Sequence, residues 1–175
     1  MFQGKVNSPQ SPPQEGSVKA LGETTMDIPK SGAVIWKGDL CTACGTCELM
    51  CSLYHYGVAS PARSRVQITY HPFQDIVDCH VCQQCDSPKC YVACPLADEA
   101  LCIDELSGAR YINKEACTGC GSCIDACPFK PPNIALDDEK AVAFKCDLCR
   151  GRAGGPICVE YCAYGALQFV AKDQR

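Results

Sequence analysis

Sixteen of the eighteen cysteines in this 175-residue chain fall into four groups of four, each opening on a C-x₂-C pair. The groups are Cys41-x₂-Cys44-x₂-Cys47-x₃-Cys51, Cys82-x₂-Cys85-x₄-Cys90-x₃-Cys94, Cys117-x₂-Cys120-x₂-Cys123-x₃-Cys127 and Cys146-x₂-Cys149-x₈-Cys158-x₃-Cys162. Thiolates at such spacing bind metal. The run from Cys117 to Pro128 matches, throughout, the C-x₂-C-x₂-C-x₃-C-P string that ligates iron–sulfur cubanes. Cysteines separated by two residues on a tight loop reach neighbouring iron corners while backbone amides face the sulfides. Gly45, Gly119 and Gly121 keep bulky side chains away from the inorganic core. Four [4Fe-4S] clusters are expected, with one-electron transfer as the available chemistry.

Two other cysteine chemistries fit less well. Disulfide frameworks belong to short secreted chains, and no secretory segment is visible. Zinc modules use C-x₂-C pairs but need only two per ion, without a C-x₂-C-x₂-C-x₃-C run before proline. Nor does the chain carry the signs of a catalyst: it has no G-x-G-x-x-G, no phosphate loop and no nucleophile paired with a base. Gly151-Arg-Ala-Gly-Gly155 lies inside the long gap of the fourth group and reads as a loop bridging two ligands.

The formal charge of −4 counts every thiol as neutral. Each loaded cubane with its four thiolates adds about −2, which brings the holo-protein near −12. With no basic stripe to offset that field, nucleic acid is excluded as a partner. No run of 18 apolar residues occurs, and the N-terminus has neither an apolar signal core nor a twin-arginine pair, so no membrane insertion is expected. So many thiolates imply a reducing cytoplasm. Aromatic content is 7%, too little for a large apolar core in a chain of this size. The clusters must then serve as the interior, and the chain without metal is expected not to fold.

The elements that bring the cysteines together are short. Ala33-Val-Ile-Trp36 reads as a strand leading to Cys41, and Arg110-Tyr-Ile-Asn113 as another leading to Cys117. Ile134-Ala-Leu136 and Ala141-Val-Ala-Phe144 flank Asp137-Asp138 as a β-hairpin, and Leu167-Gln-Phe-Val170 closes the chain. Val66, Ile68 and Tyr70 alternate with Gln67 and Thr69 as an edge strand inside the Ser52–Asp78 insertion. A short helix is expected to begin at the fourth cysteine of each group. Residues 1–32, rich in Pro, Ser, Gly and Gln, read as an extended or unstructured tail. Leu21, Met26 and Ile28 punctuate that tail, which suits an arm lying on a partner or on a second copy of the chain. Group three repeats group one, and groups two and four are the variants with a longer gap, as in a duplicated two-cluster unit.

In this order and spacing, from about Trp36 to Val170, the four groups resemble the ferredoxin-like electron-transfer subunits of molybdenum and tungsten oxidoreductases. Dimethyl sulfoxide reductase and formate dehydrogenase have subunits of this type. Cys41-Thr-Ala-Cys-Gly-Thr-Cys-Glu-Leu-Met-Cys-Ser-Leu-Tyr-His55, with Gly57 and Pro61-Ala-Arg-Ser-Arg65, is similar to the small iron–sulfur subunits of the tungsten aldehyde oxidoreductase and benzoyl-CoA reductase group.

The resemblance implies an α+β fold: two ferredoxin-like two-cluster domains related by a pseudo-twofold axis, with short helices, β-hairpins and an extended N-terminal arm. It implies an outer domain of residues 33–78 plus 137–175, an inner domain of 79–136 and an arm of 1–32. The implied ligand sets are Cys41, Cys44 and Cys47 with Cys162; Cys146, Cys149 and Cys158 with Cys51; Cys82, Cys85 and Cys90 with Cys127; and Cys117, Cys120 and Cys123 with Cys94. Cys79-x₂-Cys82-x₂-Cys85 is an alternative triplet that would leave Cys90 spare, against the family pattern. Cys79 and Cys102 are expected to be spare buried thiols. Proline follows Cys94 and Cys127 but not Cys51 or Cys162, a departure in the outer pair. His80 lacks the second histidine of a Rieske site, and His55 is expected to be structural or to touch a cluster. The implied role is a non-catalytic subunit between a pterin-metal catalytic subunit, of aldehyde oxidoreductase type, and a flavin subunit or ferredoxin. A freestanding polyferredoxin is the alternative.

Overall fold

The structure is a computed structural model that describes residues 28–137 and 139–175. The first 27 residues of the expected N-terminal arm lie outside that range. The described residues form eight short strands in four antiparallel pairs, one helix of 11 residues, three single-turn α-helices and three 3-10 turns.

Strand β1 (Ala33–Trp36) pairs with β8 (Leu167–Val170), with Ala33 opposite Val170 and Trp36 opposite Leu167. The two ends of the described chain therefore meet in one ribbon. Between them come β2 (Val66–His71) with β3 (Ile76–Val81), β4 (Leu101–Ile103) with β5 (Arg110–Ile112), and β6 (Ile134–Asp137) with β7 (Val142–Lys145). Two-stranded ribbons are marginal in water, so each needs something to pack against. Here they pack against cysteines. One core group joins Val34, Val66, Val81 and Leu167 to Cys47, Cys51, Cys82, Cys146 and Cys158, and a second joins Leu101, Ile134 and Ala143 to Cys123.

Helix α1 (Thr46–Tyr56) is bounded by Gly45 and Gly57, both left-handed, and the Gly57 N–H caps the Leu53 carbonyl at 2.9 Å. It buries Cys47, Cys51 and Ser52 on one face and lies against α4 (Ile157–Glu160). The single-turn helices α2 (Lys89–Val92), α3 (Ser122–Asp125) and α4 each contain the third cysteine of a group, and the fourth cysteine follows the helix end. This corrects the expectation that a helix begins at the fourth cysteine. Three intervening residues make one helical turn, which stacks the third and fourth cysteines on one face.

The hairpin at β6–β7 also differs in detail from its sequence signature. Asp137 belongs to β6, opposite Val142, and Ala141, in the left-handed region at φ 50°, closes the turn. Strands β3 and β4 were not anticipated from the sequence.

A buried polar network ties five segments together. The Gln84 side chain accepts the Arg110 N–H at 2.8 Å and donates to the Cys146 carbonyl at 2.8 Å. Arg110 donates through Nη2 to the Pro29 carbonyl at 3.0 Å, and Arg175 donates to the Gln84 carbonyl at 2.8 Å. The described end of the arm is thereby held against the body. Gly108 lies under it at φ 70°, where an added Cβ would come within 2.1 Å of the Lys30 carbonyl oxygen. G108A should destabilise the protein by about 2 kcal/mol or more. A loss of about 2 kcal/mol lowers the thermal midpoint of the metal-loaded chain by about 4–8 °C; an unchanged midpoint would mean that residues 29–31 do not pack there.

Candidate metal centres

Three of the cysteine sets line cavities of nearly equal size, about 360, 380 and 370 Å³ counting the space open to solvent. Cys41, Cys44, Cys47 and Cys162 ring the first with Trp36, Ile68 and Leu167. Cys82, Cys85, Cys90 and Cys127 ring the second with Arg110, Ile134 and Lys145. The third holds Cys94, Cys117, Cys120 and Cys123 with Leu101, Ile112 and Ala143. All members of the remaining set, Cys51, Cys146, Cys149 and Cys158, are buried. Burial pushes the Cys158 thiol up first, and its neighbours Cys146, Cys51 and Cys149 push it further. Among the described residues, no three His, Cys, Asp or Glu side chains close on a point fit for a single metal ion.

Members of different sets meet in the core. Cys47, Cys51, Cys82, Cys146 and Cys158 share one core group, and Cys90, Cys94 and Cys117 pack against the other, which holds Cys123. The first and third cysteine groups each contain an exposed cysteine, Cys44 and Cys120.

Local backbone geometry repeats at all four C-x₂-C pairs. The residue before the second cysteine is left-handed each time: Ala43 at φ 55°, Gln84 at 49°, Gly119 at 66° and Leu148 at 58°. Three of the four are not glycine, and each such residue stores about 1–2 kcal/mol of strain. Left-handed residues of this kind are a component of the backbone nests that bind anions. Backbone N–H groups also donate to the sulfurs themselves. Arg65 donates to Cys51 Sγ at 3.3 Å, Ala143 to Cys117 Sγ at 3.4 Å, Leu148 to Cys146 Sγ at 3.4 Å and Ile157 to Cys149 Sγ at 3.5 Å. Of these four left-handed positions only Gly119 is marked by its residue type; the place just before the second cysteine is the signal available for the other three.

Without metal several of the buried thiols resist ionisation. Burial, reinforced by Glu48 and by Cys44, drives Cys47 up to about 12, and burial takes Cys149 and Cys123 to about 11. Only thiolates ligate iron, so loading must expel protons and bring in the compensating cation. The sites fit an iron–sulfur core in another respect. Trp36, on the wall of the first cavity, keeps its Nε1–H buried without an acceptor among the described residues, as does Arg110 Nε on the wall of the second. Inorganic sulfides and thiolates are acceptors of the kind these donors lack.

Residues outside the sets are also placed. Cys102 is buried and its thiol donates to the carbonyls of Asp98 at 3.2 Å and Glu99 at 3.3 Å. Cys79, half-buried on β3 opposite Ile68, does not line the cavity that contains Cys90. His55 Nε2 lies 3.8 Å from Cys149 Sγ and 3.6 Å from Asp147, and burial, with the Arg65 charge, depresses its pKa to about 4. His80 lines a separate cavity with Gln67, Asn133 and Phe144 that contains no cysteine.

The left-handed strain at Ala43 generates a prediction. A43G should raise the thermal midpoint of the loaded protein by about 2–4 °C, equivalent to about 1 kcal/mol, because glycine adopts this conformation freely. A lowered midpoint would refute the strain assignment.

Residues 74–172 match a family model described as a 4Fe-4S dicluster domain. The aliphatic sulfonate oxidoreductase polyferredoxin-like subunit of Pyrococcus furiosus is 40% identical over 140 residues, covering 78% of this chain and 76% of that protein. The electron transport protein HydN of Escherichia coli K12 is 28% identical over 159 residues, 81% of this chain and 89% of that protein. Among solved structures, the active site complex BamBC of benzoyl coenzyme A reductase with benzoyl-CoA aligns at 26% identity and a TM-score of 0.48, over 79% of this chain and 78% of that one. The chain belongs to the 4Fe-4S dicluster domain family, and its relatives include polyferredoxin-like and iron–sulfur subunits of oxidoreductases.

Proposed function

We propose that the chain carries four [4Fe-4S] clusters and relays electrons as a non-catalytic, cytoplasmic subunit, between a tungsten- or molybdenum-pterin catalytic subunit and a flavin subunit or ferredoxin. The observation that supports this reading is that cysteines of all four groups share two core groups, with Cys44 and Cys120 exposed. No described helix is long and apolar enough to cross a membrane.

Cys41, Cys44, Cys47 and Cys162 hold one end cluster, and Cys94, Cys117, Cys120 and Cys123 the other. Cys51, Cys146, Cys149 and Cys158 hold the inner cluster next to the first, and Cys82, Cys85, Cys90 and Cys127 the inner cluster next to the last. Bound there, each cluster supplies a reversible one-electron couple. The remaining work is the chain's own. Thiolates fix the sites, backbone nests at the left-handed Ala43, Gln84, Gly119 and Leu148 offset their negative charge, and Ile68, Leu101, Ile112, Ile134 and Leu167 keep water out. Cys44 and Cys120 mark the two ends at which partners approach.

Two ferredoxin-like units related by a pseudo-twofold axis, residues 33–78 with 137–175 and residues 79–136, account for this order. The pairing of β1 with β8 and of α1 with α4 supports the first unit. The catalytic partner we infer from the Cys41–Arg65 segment is an aldehyde oxidoreductase. The Pyrococcus relative, at 40% identity, favours an oxidoreductase of aliphatic sulfonates as the second reading.

Serine replacement tests the ligand sets. C90S should lose iron relative to the parent chain, whereas C79S should retain it, both read by iron and sulfide analysis after anaerobic purification. Loss of iron in C79S alone would overturn the assignment. Copurification of a pterin-metal subunit, read by tungsten and molybdenum analysis, tests the partner; isolation as a stable free monomer favours the freestanding polyferredoxin.

A further inference from the structure

Arg110 and Lys145 are buried cations, 1% and 3% exposed. Among the described residues neither forms an ion pair with a carboxylate. Lys145 Nζ donates to the carbonyls of Arg110 and Cys146. Arg110 spends its Nη donors on the carbonyls of Gln84, Gly108 and Pro29, while its Nε–H keeps no acceptor among the described residues. A buried charge without a counter-ion is costly, and a guanidinium does not escape the cost by deprotonating. The Asp86 carboxylate acts on Arg110 but is shared with Arg175 at 3.9 Å, so the rest of the counter-charge must come from elsewhere.

Both side chains line the cavity ringed by Cys82, Cys85, Cys90 and Cys127, and Lys89 adds a third cation to its wall, which carries no carboxylate. The cavities of the two end quartets are lined by no charged side chain. Beside the remaining quartet, the Arg65 guanidinium is neutralised by Asp147 at 2.6 Å. Fixed positive charge is therefore concentrated at one of the four sites. Cluster potentials respond to net charge and to hydrogen bonds at the sulfurs.

We propose that Arg110 and Lys145 are the built-in counter-charge of the Cys82–Cys85–Cys90–Cys127 site and make it the highest-potential member of the series. The inference rests on the ligand assignment above. One electron leaving a neighbouring site makes that site one unit less negative and this one a unit more negative. The two cations favour the more negative state, and no proton has to accompany the electron. Lys145 also hydrogen-bonds the carbonyl of Cys146, a member of the neighbouring quartet, so its charge sits where the two inner sites meet. Both are positioning residues, acting on the site through charge.

The test is a mediated dithionite titration of the anaerobically loaded full chain, followed by electron paramagnetic resonance. K145Q keeps a hydrogen-bond donor and removes the charge; K145R keeps the charge. In K145Q the highest-potential component, the one missing from C90S, should lose about tenfold in its reduced-to-oxidised ratio at fixed potential, about 59 mV for one electron. The neighbouring inner component should shift by less, the two end components should stay in place, and K145R should restore the parent value. If K145Q fails to load iron, R110Q is read in the same way. Superimposable titrations at parental iron content, or an equal shift of all four components, would overturn the proposal. A parent chain holding iron for fewer than four clusters would overturn the ligand assignment instead.

Discussion

The structure depends on one constraint: half of its thiols are buried where a chain of ordinary composition would put aliphatic side chains. Cys47, Cys51, Cys82, Cys146 and Cys158 form one core group with a few valines and leucines, and Cys123 belongs to the other. As thiols they cost little to bury, yet they cannot bind iron; as thiolates without metal they would repel one another in a desolvated interior. Only the metal-bound state satisfies both burial and ionisation. The ribbons follow from this. Four two-stranded pairs of three to six residues each have no sheet to join, and they persist as lids over the cysteine sets.

The polypeptide prepares the sites in two ways. The left-handed residue in every C-x₂-C pair is a local device, and it is kept even where alanine, glutamine or leucine must adopt the strained conformation. The network around Gln84, Arg110, Lys145 and Arg175 is a global one, with bonds that join residues up to 91 apart in sequence. Arg175 reaches both Ser31 and Gln84 through carbonyl contacts, so the two termini of the described chain close on the same interior point.

Much of the site was legible because ligand spacing is a covalent property: C-x₂-C and C-x₃-C dictate a tight loop and one helical turn whatever surrounds them. Strands β1, β6, β7 and β8 were legible from apolar runs bounded by turn residues, and β2 from its alternation. β3 was hidden because Asp78, Cys79 and His80 interrupt any apolar period, and β4 because three residues carry no period at all. Helix placement was misread since propensity says little about a four-residue turn whose position is set by the cysteine it carries. Nothing in the local sequence pattern marks Arg110 or Lys145 as buried. Burial of both follows from what the cysteines opposite them require, a long-range condition that no local pattern encodes.

If the clusters are the interior, removal of iron should dismantle strands far from one another in a single step. Hydrogen exchange on the full chain before and after anaerobic iron chelation tests this most directly. The account predicts slow amide exchange in β1, β5, β7 and β8 of the loaded protein and its loss from all four on chelation. Retained protection in those strands after the iron is gone would contradict it, because an apolar core would then suffice to hold the fold.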